Sequence, residues 1–259
     1  MTCSFPANGR FTEKYKAVYE SVLNAQRAVY AKIEPGVSWV DCHIAAELEI
    51  VKGLYAIGVV QLPDDCKSES GDTSLILERL VREHRLGAVF MPHGLGHLIG
   101  IDAHDVGGYL EGTPPRSTEA GLRSLRTARI LEENMVVTVE PGCYFIDHLL
   151  DEAMEEGHPL APFLNKELID REYRGYGGVR LEDVVAITAK KPCGSDSDDA
   201  NSHKGYSCVC NFTLCPRTVR EVESVMDGGK WPPMVDEALE LRRLRLTKPW
   251  APLPSPPSR

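Results

Sequence analysis

Apolar residues recur at helical spacing in the first part of the chain, and this pattern predicts two long helices. Thr12 is a suitable N-cap, and apolar positions follow it at three- and four-residue steps as far as Ile33. Pro35-Gly36 then ends the helix. A second helix is predicted from Ser38 to about Leu54, because its apolar residues keep the same spacing.

A third helix is predicted over Leu75–His84, after a polar loop at Leu62–Ser74. Four residues are assigned to its inner face: Leu75, Leu77, Leu80 and Val81.

Short apolar and β-branched runs further along the chain predict strands. They lie at Ala88–Phe90, Met135–Val139 and Val184–Thr188. Between them, Glu119–Leu131 is predicted to be irregular or briefly helical, and Asp151–Arg174 to be a connection with a short helix at its centre. Helices and strands in this order are typical of an α+β domain.

The composition changes after about residue 189. Residues 190–214 are predicted to be a polar linker or insertion, since Lys191–Gly205 is of low complexity. Residues 230–259 combine a predicted short charged helix at Val235–Leu244 with a Pro-rich end, and we expect this tail to be disordered.

Charge and composition narrow the class of partner. The chain has 259 residues, 42% of them hydrophobic, and a formal net charge of -9. This acidity argues against nucleic acid, whose binding proteins carry basic patches. Met1–Arg10 has no signal-peptide core and no stretch is apolar enough for a membrane span, so we expect a cytoplasmic protein with small ligands and no membrane partner.

Three histidines surround a glycine-rich turn. His93 and His97 are separated by Gly94 and Gly96, which makes a continuous helix unfavourable and excludes the helical HExxH zinc arrangement. His104 follows shortly after. A lone histidine is more often a hydrogen-bonded core residue, but three around one turn favour a site.

Two glutamates lie where predicted strands end. Glu140 follows the run that ends at Val139, and Glu182 lies two residues after Arg180. A buried, unpaired carboxylate is costly, so either a cation or an arginine must compensate each charge, with Arg126 and Arg180 as the possible partners. Together with the histidine turn, metal ligation is the stronger interpretation.

The cysteines give a weaker signal. The chain has eight, without paired spacing, which indicates buried or idle thiols. A zinc site could be imagined from one cluster, but its spacing fits no common zinc motif. The cluster comprises Cys193, His203, Cys208, Cys210 and Cys215.

Several long segments resemble the prolidases, the Xaa-Pro dipeptidases of the pita-bread metallopeptidase family. They are HGLGHLIGIDAHDVGGYLEG, LRSLRTARILEENMVVTVEPGCYFIDHLLDEA, FLNKEL and RGYGGVRLEDVV. The similarity runs from about Thr2 to Thr188, and CPRTVREVE at Cys215–Glu223 resembles the end of the prolidase domain. The resemblance implies a pita-bread catalytic domain at 1–189, with 215–229 as its C-terminal segment.

The resemblance also implies a reaction, in which a metal-activated hydroxide hydrolyses dipeptides with a C-terminal proline. It implies two ions, usually manganese, with His97, Glu140 and Glu182 among their ligands. His104, Glu140 and Glu182 would be catalytic. His93, His104, Arg126 and Arg180 would bind substrate, and a homodimer is a further expectation.

One departure from the family concerns the start of the sequence. In prolidases the segment TCSFPANG follows a strand pair that bears two aspartate ligands, whereas here Met1 precedes Thr2. We therefore expect an N-terminally truncated domain in which metal binding is weakened or lost. The alternative function is an inactive prolidase fragment that acts at most as a binding or dimerisation module, for example with the full-length enzyme.

Overall fold

The computed structural model describes residues 1–64, 66, 72–189 and 208–244. Helix α1 spans Glu13–Lys32 and α2 spans Trp39–Ala56. The predicted caps are confirmed, since the Thr12 side chain accepts a hydrogen bond from the amide of Tyr15 and Ser38 accepts one from that of Val40. Neither of these helices, nor any other in the described part of the chain, is long and apolar enough to cross a bilayer.

The two long helices pack closely along their apolar faces. Gly53 of α2 lies against Ser21 of α1, and a Cβ at Gly53 would fall 2.0 Å from the Ser21 Oγ. Any larger residue at this position would force the helices apart. The buried side chains of both helices, among them Tyr19 and Trp39, form one continuous core with the rest of the domain.

Helix α3 spans Thr73–His84 and confirms the third predicted helix, with one correction. Leu75 is 58% exposed, and Ile76 is buried instead. The other three predicted residues, Leu77, Leu80 and Val81, are buried as expected. Most of the predicted Leu62–Ser74 loop lies outside the described residues.

The strand predicted at Ala88–Phe90 is wrong. Gly87–Phe90 forms a single helical turn, α4, in which the Met91 amide donates to the Gly87 carbonyl at 2.8 Å. All four residues are buried, so their apolar character reflects burial on every side instead of a period of two.

Two small antiparallel sheets carry the centre of the domain. In the first, β1 (Val136–Val139) pairs with β4 (Asp183–Ile187), and β4 pairs with β5 (Val209–Asn211). In the second, β2 (Gly142–Phe145) pairs with β3 (Gly177–Arg180). The strands predicted around residues 136 and 184 are thus confirmed to within one residue.

Short helical segments lie before β1 and between β2 and β3. Leu122–Ser124 and Ala161–Phe163 are 3-10 turns, and Ile169–Tyr173 is a π-helical turn. Helices α5 and α6 span Asp147–Ala153 and Lys166–Leu168. These elements agree with the predicted irregular and connecting segments.

The chain after residue 208 packs back onto the domain. Helix α7 spans Val219–Met226 and begins with a capping box between Thr218 and Glu221. Residues 230–244 differ from the disorder expected of the tail, because the buried Arg243 holds them to Glu221 and Asp236. A 3-10 turn at Leu239–Leu241 replaces the predicted helix at Val235–Leu244. The predicted linker at 190–207 and the residues from 245 onward lie outside the described part.

Candidate metal centre

The ends of β1 and β4 bring two glutamates side by side. Val139 is the register partner of Asp183, so Glu140 and Glu182 lie just beyond the last residue pair of the ladder. The histidine turn runs along the other edge of β1, where the Glu140 amide donates to the Leu95 carbonyl at 2.8 Å. The sheet register therefore places residues from three separate segments at one point.

His97, Glu140 and Glu182 meet at this point. One ligand atom from each lies within 4.8 Å of the other two. His97 Nε2 is 3.4 Å from Glu140 Oε1. No other group of three or more metal-ligating side chains occurs in the described ranges. The convergence expected from the sequence is present, and these are donors that manganese and other hard or borderline divalent cations accept.

The hydrogen bonds of His97 leave one ring nitrogen available to the cluster. Nδ1 is 2.8 Å from the Leu98 carbonyl, which can only accept, so we assign the proton to Nδ1. Nε2 is then the ring nitrogen that faces the Glu140 carboxylate and can offer its lone pair to a cation. Two electron-rich atoms at that distance repel each other unless a proton or a cation lies between them. The arrangement thus fits a bound cation.

Glu140 is only partly compensated by the protein. It accepts hydrogen bonds from the Thr138 hydroxyl at 3.2 Å and from Arg180 Nη1 at 3.2 Å. Burial and the neighbouring Glu182 charge raise the pKa of Glu140, because both disfavour its ionised form. Arg180 is therefore the arginine partner that the sequence analysis left open.

Glu182 faces hydrogen-bond donors from the start of the chain. Its carboxylate accepts a bond of 2.5 Å from the Thr2 hydroxyl and lies 3.2 Å from the Met1 ammonium. Burial acts to raise the pKa of Glu182, but these donors outweigh burial and lower it. Glu182 is therefore more easily ionised than Glu140, whose charged form is disfavoured by burial and by the nearby Glu182 charge.

The glycine turn brings its backbone unusually close to β1. A Cβ at Gly96 would lie 1.9 Å from the Thr138 carbonyl oxygen, so no other residue fits without displacing the strand. Neither Gly94 nor Gly96 has a positive φ. The requirement for glycine at residue 96 is therefore close approach and not a left-handed conformation.

His93 lies outside the triad, against Tyr144. Its Nδ1 is 2.8 Å from the Gly94 carbonyl, its ring packs edge-on against Tyr144, and its buried Nε2 has no hydrogen-bond partner among the described residues. Burial, assisted by the Arg180 charge, lowers the pKa of His93 to about 4. His93 is therefore neutral at physiological pH and offers an unused acceptor at Nε2.

His104 and Arg126 are the exposed members of the predicted set. The His104 ring packs edge-on against that of His97, with ring centres 4.5 Å apart. Arg126 is exposed, and its side chain has no hydrogen bond or ion pair within the described residues. The structure thus places His104 at the cluster, while Arg126 keeps its guanidinium free.

Two supporting residues were missed by sequence reasoning. The Thr138 hydroxyl accepts from the His97 amide at 3.0 Å and donates to Glu140, which links two members of the triad. The Tyr144 hydroxyl accepts a bond of 2.7 Å from Arg180 Nε. A threonine between valines in β1 was a usable signal, since a buried hydroxyl needs partners.

Comparison with known sequences identifies relatives of this chain. The model of metallopeptidase family M24 matches residues 1–189. An Xaa-Pro dipeptidase from Homo sapiens is 48% identical over 228 residues, which are 88% of this chain and 39% of the relative. A probable Xaa-Pro aminopeptidase from Botryotinia fuckeliana is 36% identical over 229 residues, 88% of this chain and 42% of that protein. The chain thus spans well under half the length of these curated relatives.

Two solved aminopeptidase structures have similar folds. The enzyme from Pseudomonas aeruginosa superposes with a TM-score of 0.53 at 28% identity, over 86% of this chain and 37% of that one. A zinc-substituted aminopeptidase P from Escherichia coli, in complex with product, gives a TM-score of 0.53 at 24% identity, over 87% and 37%. The second match supports the fold alone.

Proposed function

Because this chain belongs to metallopeptidase family M24, we propose that it is a prolidase-like metallopeptidase that hydrolyses dipeptides with a C-terminal proline. The observation that carries the proposal is the convergence of His97, Glu140 and Glu182. The similarity to Xaa-Pro dipeptidases, at 48% identity over 228 residues, supports the substrate class.

The metal would be held by His97 through Nε2 and by the carboxylates of Glu140 and Glu182. When bound, a divalent ion would polarise the scissile carbonyl and lower the pKa of a water molecule. Glu140 and Glu182 would have to be ionised to hold it, and the raised pKa of Glu140 makes this residue the sensitive one. Thr138 would keep His97 and Glu140 in register with each other.

His104, Arg126, Arg180 and His93 would bind and orient the substrate. His104, next to His97, would donate a hydrogen bond to the oxyanion as it forms. Arg126 has a free guanidinium, which suits the terminal carboxylate of the proline. Arg180, fixed by Glu140 and Tyr144, would hold the peptide in place. His93 would accept a substrate N–H at Nε2.

Metal identity, assembly and location belong to the same proposal. We propose manganese, because two carboxylates and one imidazole form a donor set that manganese accepts. Zinc accepts the same donors. A homodimer and a cytoplasmic location are proposed from the resemblance to the prolidases. The alternative of an inactive fragment is not favoured, since the three ligand candidates are already assembled.

The test is hydrolysis of glycyl-proline with and without manganese. We expect activity that depends on the metal and falls at least about a thousandfold in Glu182→Gln, which keeps the size of the side chain but removes its charge. Glu132→Gln, at an exposed glutamate paired with Arg129, is the matched control and should retain activity. Equal activity in Glu182→Gln and the control would refute the assigned site.

A further inference from the structure

A buried ion pair in the core of the domain has no part in the proposed mechanism. Glu47, on α2, is completely buried. Arg85, at the end of α3, donates through Nη2 to Glu47 Oε1 at 2.9 Å and lies 2.8 Å from Oε2. His43 Nε2, one turn earlier on α2, is 3.0 Å from the same Oε1. Because burying charges is costly, such a pair can fix the placement of segments even where it adds little net stability.

Arg85 has an unusual backbone conformation for an arginine. Its φ is 55°, in the left-handed region, where it caps the C-terminus of α3. Glycine is the favoured residue at such a position, because a side chain there is strained. The Arg85 side chain is nevertheless fully used. Besides its contact with Glu47, Nη1 donates to the Val81 carbonyl and Nε to the Ala120 carbonyl, both at 3.1 Å. The guanidinium thus joins α2, α3 and the segment around Ala120.

The ion pair packs directly against the segment that leads to Arg126. A Cβ at Gly121 would lie 2.8 Å from Glu47 Oε1 and 3.4 Å from Arg85 Nη2. The chain then forms the 3-10 turn at Leu122–Ser124, and Arg126 follows two residues after this turn. The backbone that carries Arg126 is therefore held by the buried pair.

The same segment also lies against the histidine turn. Ser124 Oγ donates to the Pro92 carbonyl at 3.1 Å. A Cβ at Gly94 would lie 2.9 Å from the Leu125 Cα, so the two backbones are in close contact. His93 lies between these two residues of the turn, and its backbone is therefore fixed relative to the same segment.

We propose that Arg85 is a positioning residue for the substrate pocket. By holding Ala120, it would set the placement of Arg126 relative to His93, and so the fit of the dipeptide between them. This inference rests on the proposed function, because it concerns the same substrate. It gives the ion pair no role in metal binding, since none of the hydrogen bonds of Arg85 or Glu47 in the described ranges reaches the triad.

The test is Arg85→Lys, which keeps a charge beside Glu47 but replaces the planar fork by one amine that cannot reach all three acceptors at once. A misplaced Arg126 weakens binding of the substrate and of the transition state alike. We therefore expect KM for glycyl-proline to rise about tenfold, kcat to stay within about twofold, and manganese affinity to stay unchanged. Arg82→Lys, the same change at an exposed arginine of α3 paired with Glu78, is the matched control and should leave KM unchanged.

Hydrogen exchange tests the same placement without turnover. The amides of Ser124 and Leu125 each donate to the carbonyl three residues earlier, at 3.0 Å. In Arg85→Lys we expect these two amides to exchange at least about tenfold faster than in the wild type, because the turn loses its anchor at Ala120. In Arg82→Lys they should exchange at the wild-type rate.

The outcomes separate this inference from the proposed function. If the wild type hydrolyses no glycyl-proline in manganese, the proposed function fails and the substrate role of Arg85 falls with it, whereas faster exchange would still show that Arg85 fixes the segment. If the wild type is active, an unchanged KM or unchanged exchange in Arg85→Lys would overturn the inference. A joint fall in kcat and manganese affinity would also overturn it, because it would indicate a general distortion of the domain.

Discussion

Glu182 and Asp183 are neighbours in sequence, yet their carboxylates lie in very different surroundings. Asp183 is 1% exposed and accepts hydrogen bonds from Arg217, Tyr30 and Asn211. Glu182 points to the other side of the chain, where it meets Glu140 and His97. Asp183 is held by donors of the core, whereas Glu182, although Thr2 and the Met1 ammonium stabilise its charge, shares a site with a second carboxylate.

The difference separates structural from functional charge. A buried carboxylate that pairs with a guanidinium and accepts further hydrogen bonds links segments of the fold. Arg243, which pairs with Asp236 and Glu221, forms a second network of this kind. A cluster of acceptors without enough donors costs stability in the absence of a cation. The start of β4 therefore supports the fold through Asp183 and offers a metal ligand through Glu182.

The largest loss of stability is expected from breaking the ion pair between Arg217 and Asp183. Arg217→Met should lower the free energy of unfolding by about 3–5 kcal/mol, because it leaves Asp183 buried without its ion-pair partner. Urea denaturation measures this loss. Arg220→Met, which removes an exposed arginine paired with exposed Glu237, should cost less than about 0.5 kcal/mol. Similar losses in the two variants would contradict the assigned role of Arg217.

A bound metal should stabilise the folded chain through Glu182 and its neighbours in the site, and not through the ion pair of Asp183 with Arg217. At a hundredfold excess of free manganese over its dissociation constant, we expect a stabilisation of about 2.7 kcal/mol. It should disappear in Glu140→Gln, which removes one ligand charge, and persist in Glu132→Gln. Thermal unfolding with and without manganese measures it. Undiminished stabilisation of Glu140→Gln would place the ion elsewhere.

His93 adds a third case, a buried titratable group that stays neutral instead of being paired with a charge. Its pKa is about 4 in the folded chain against an ordinary value of 6.5. Below pH 6.5 the unfolded chain takes up a proton that the folded chain binds only near pH 4, so this contribution to stability is complete above pH 6.5 and lost as the pH falls towards 4. The full loss is about 3 kcal/mol.

We therefore expect His93→Gln to flatten the fall in stability between pH 6.5 and pH 4. Urea denaturation across this range measures the slope. His148→Gln, on the exposed side of α5, serves as the comparison. A slope that is equally steep in His93→Gln and in the wild type would contradict this expectation, because it would mean that the folded chain protonates His93 as easily as the unfolded chain does.

The sequence was sufficient for the long helices and for naming the three ligand candidates that the fold brings together. The caps at Thr12 and Ser38 act within one turn, so local chemistry decides where those helices begin. The three ligand candidates were found because carboxylates at strand ends and a histidine in a glycine turn are unusual in a core. Their convergence depends on the pairing of Val139 with Asp183, which no local pattern contains.

The misses share a physical cause, since each depends on contacts between distant segments. The turn at Gly87–Phe90 is buried on all sides and so carries no periodicity. Residues 230–244 read as a charged tail, but Arg243 is completely buried between Asp236 and Glu221. A charge pattern alone cannot reveal a partner elsewhere in the sequence.

Thr138 joins the members of the site, and its removal is the smallest perturbation considered. Thr138→Val keeps the shape of the side chain but leaves the buried His97 amide without its acceptor, so we expect a loss of about 1 kcal/mol in unfolding free energy. Thr138→Ser retains the hydroxyl and should keep this bond, apart from the missing methyl group.

The two Thr138 variants also distinguish a positioning role from a purely structural one. If the hydroxyl orients His97 and Glu140, Thr138→Val should weaken manganese binding in calorimetry by about tenfold, as supporting contacts around metal ligands do, while Thr138→Ser should not. Equal manganese affinity in both variants would leave Thr138 as a structural bond only. It would also imply that the sheet register alone holds the site together.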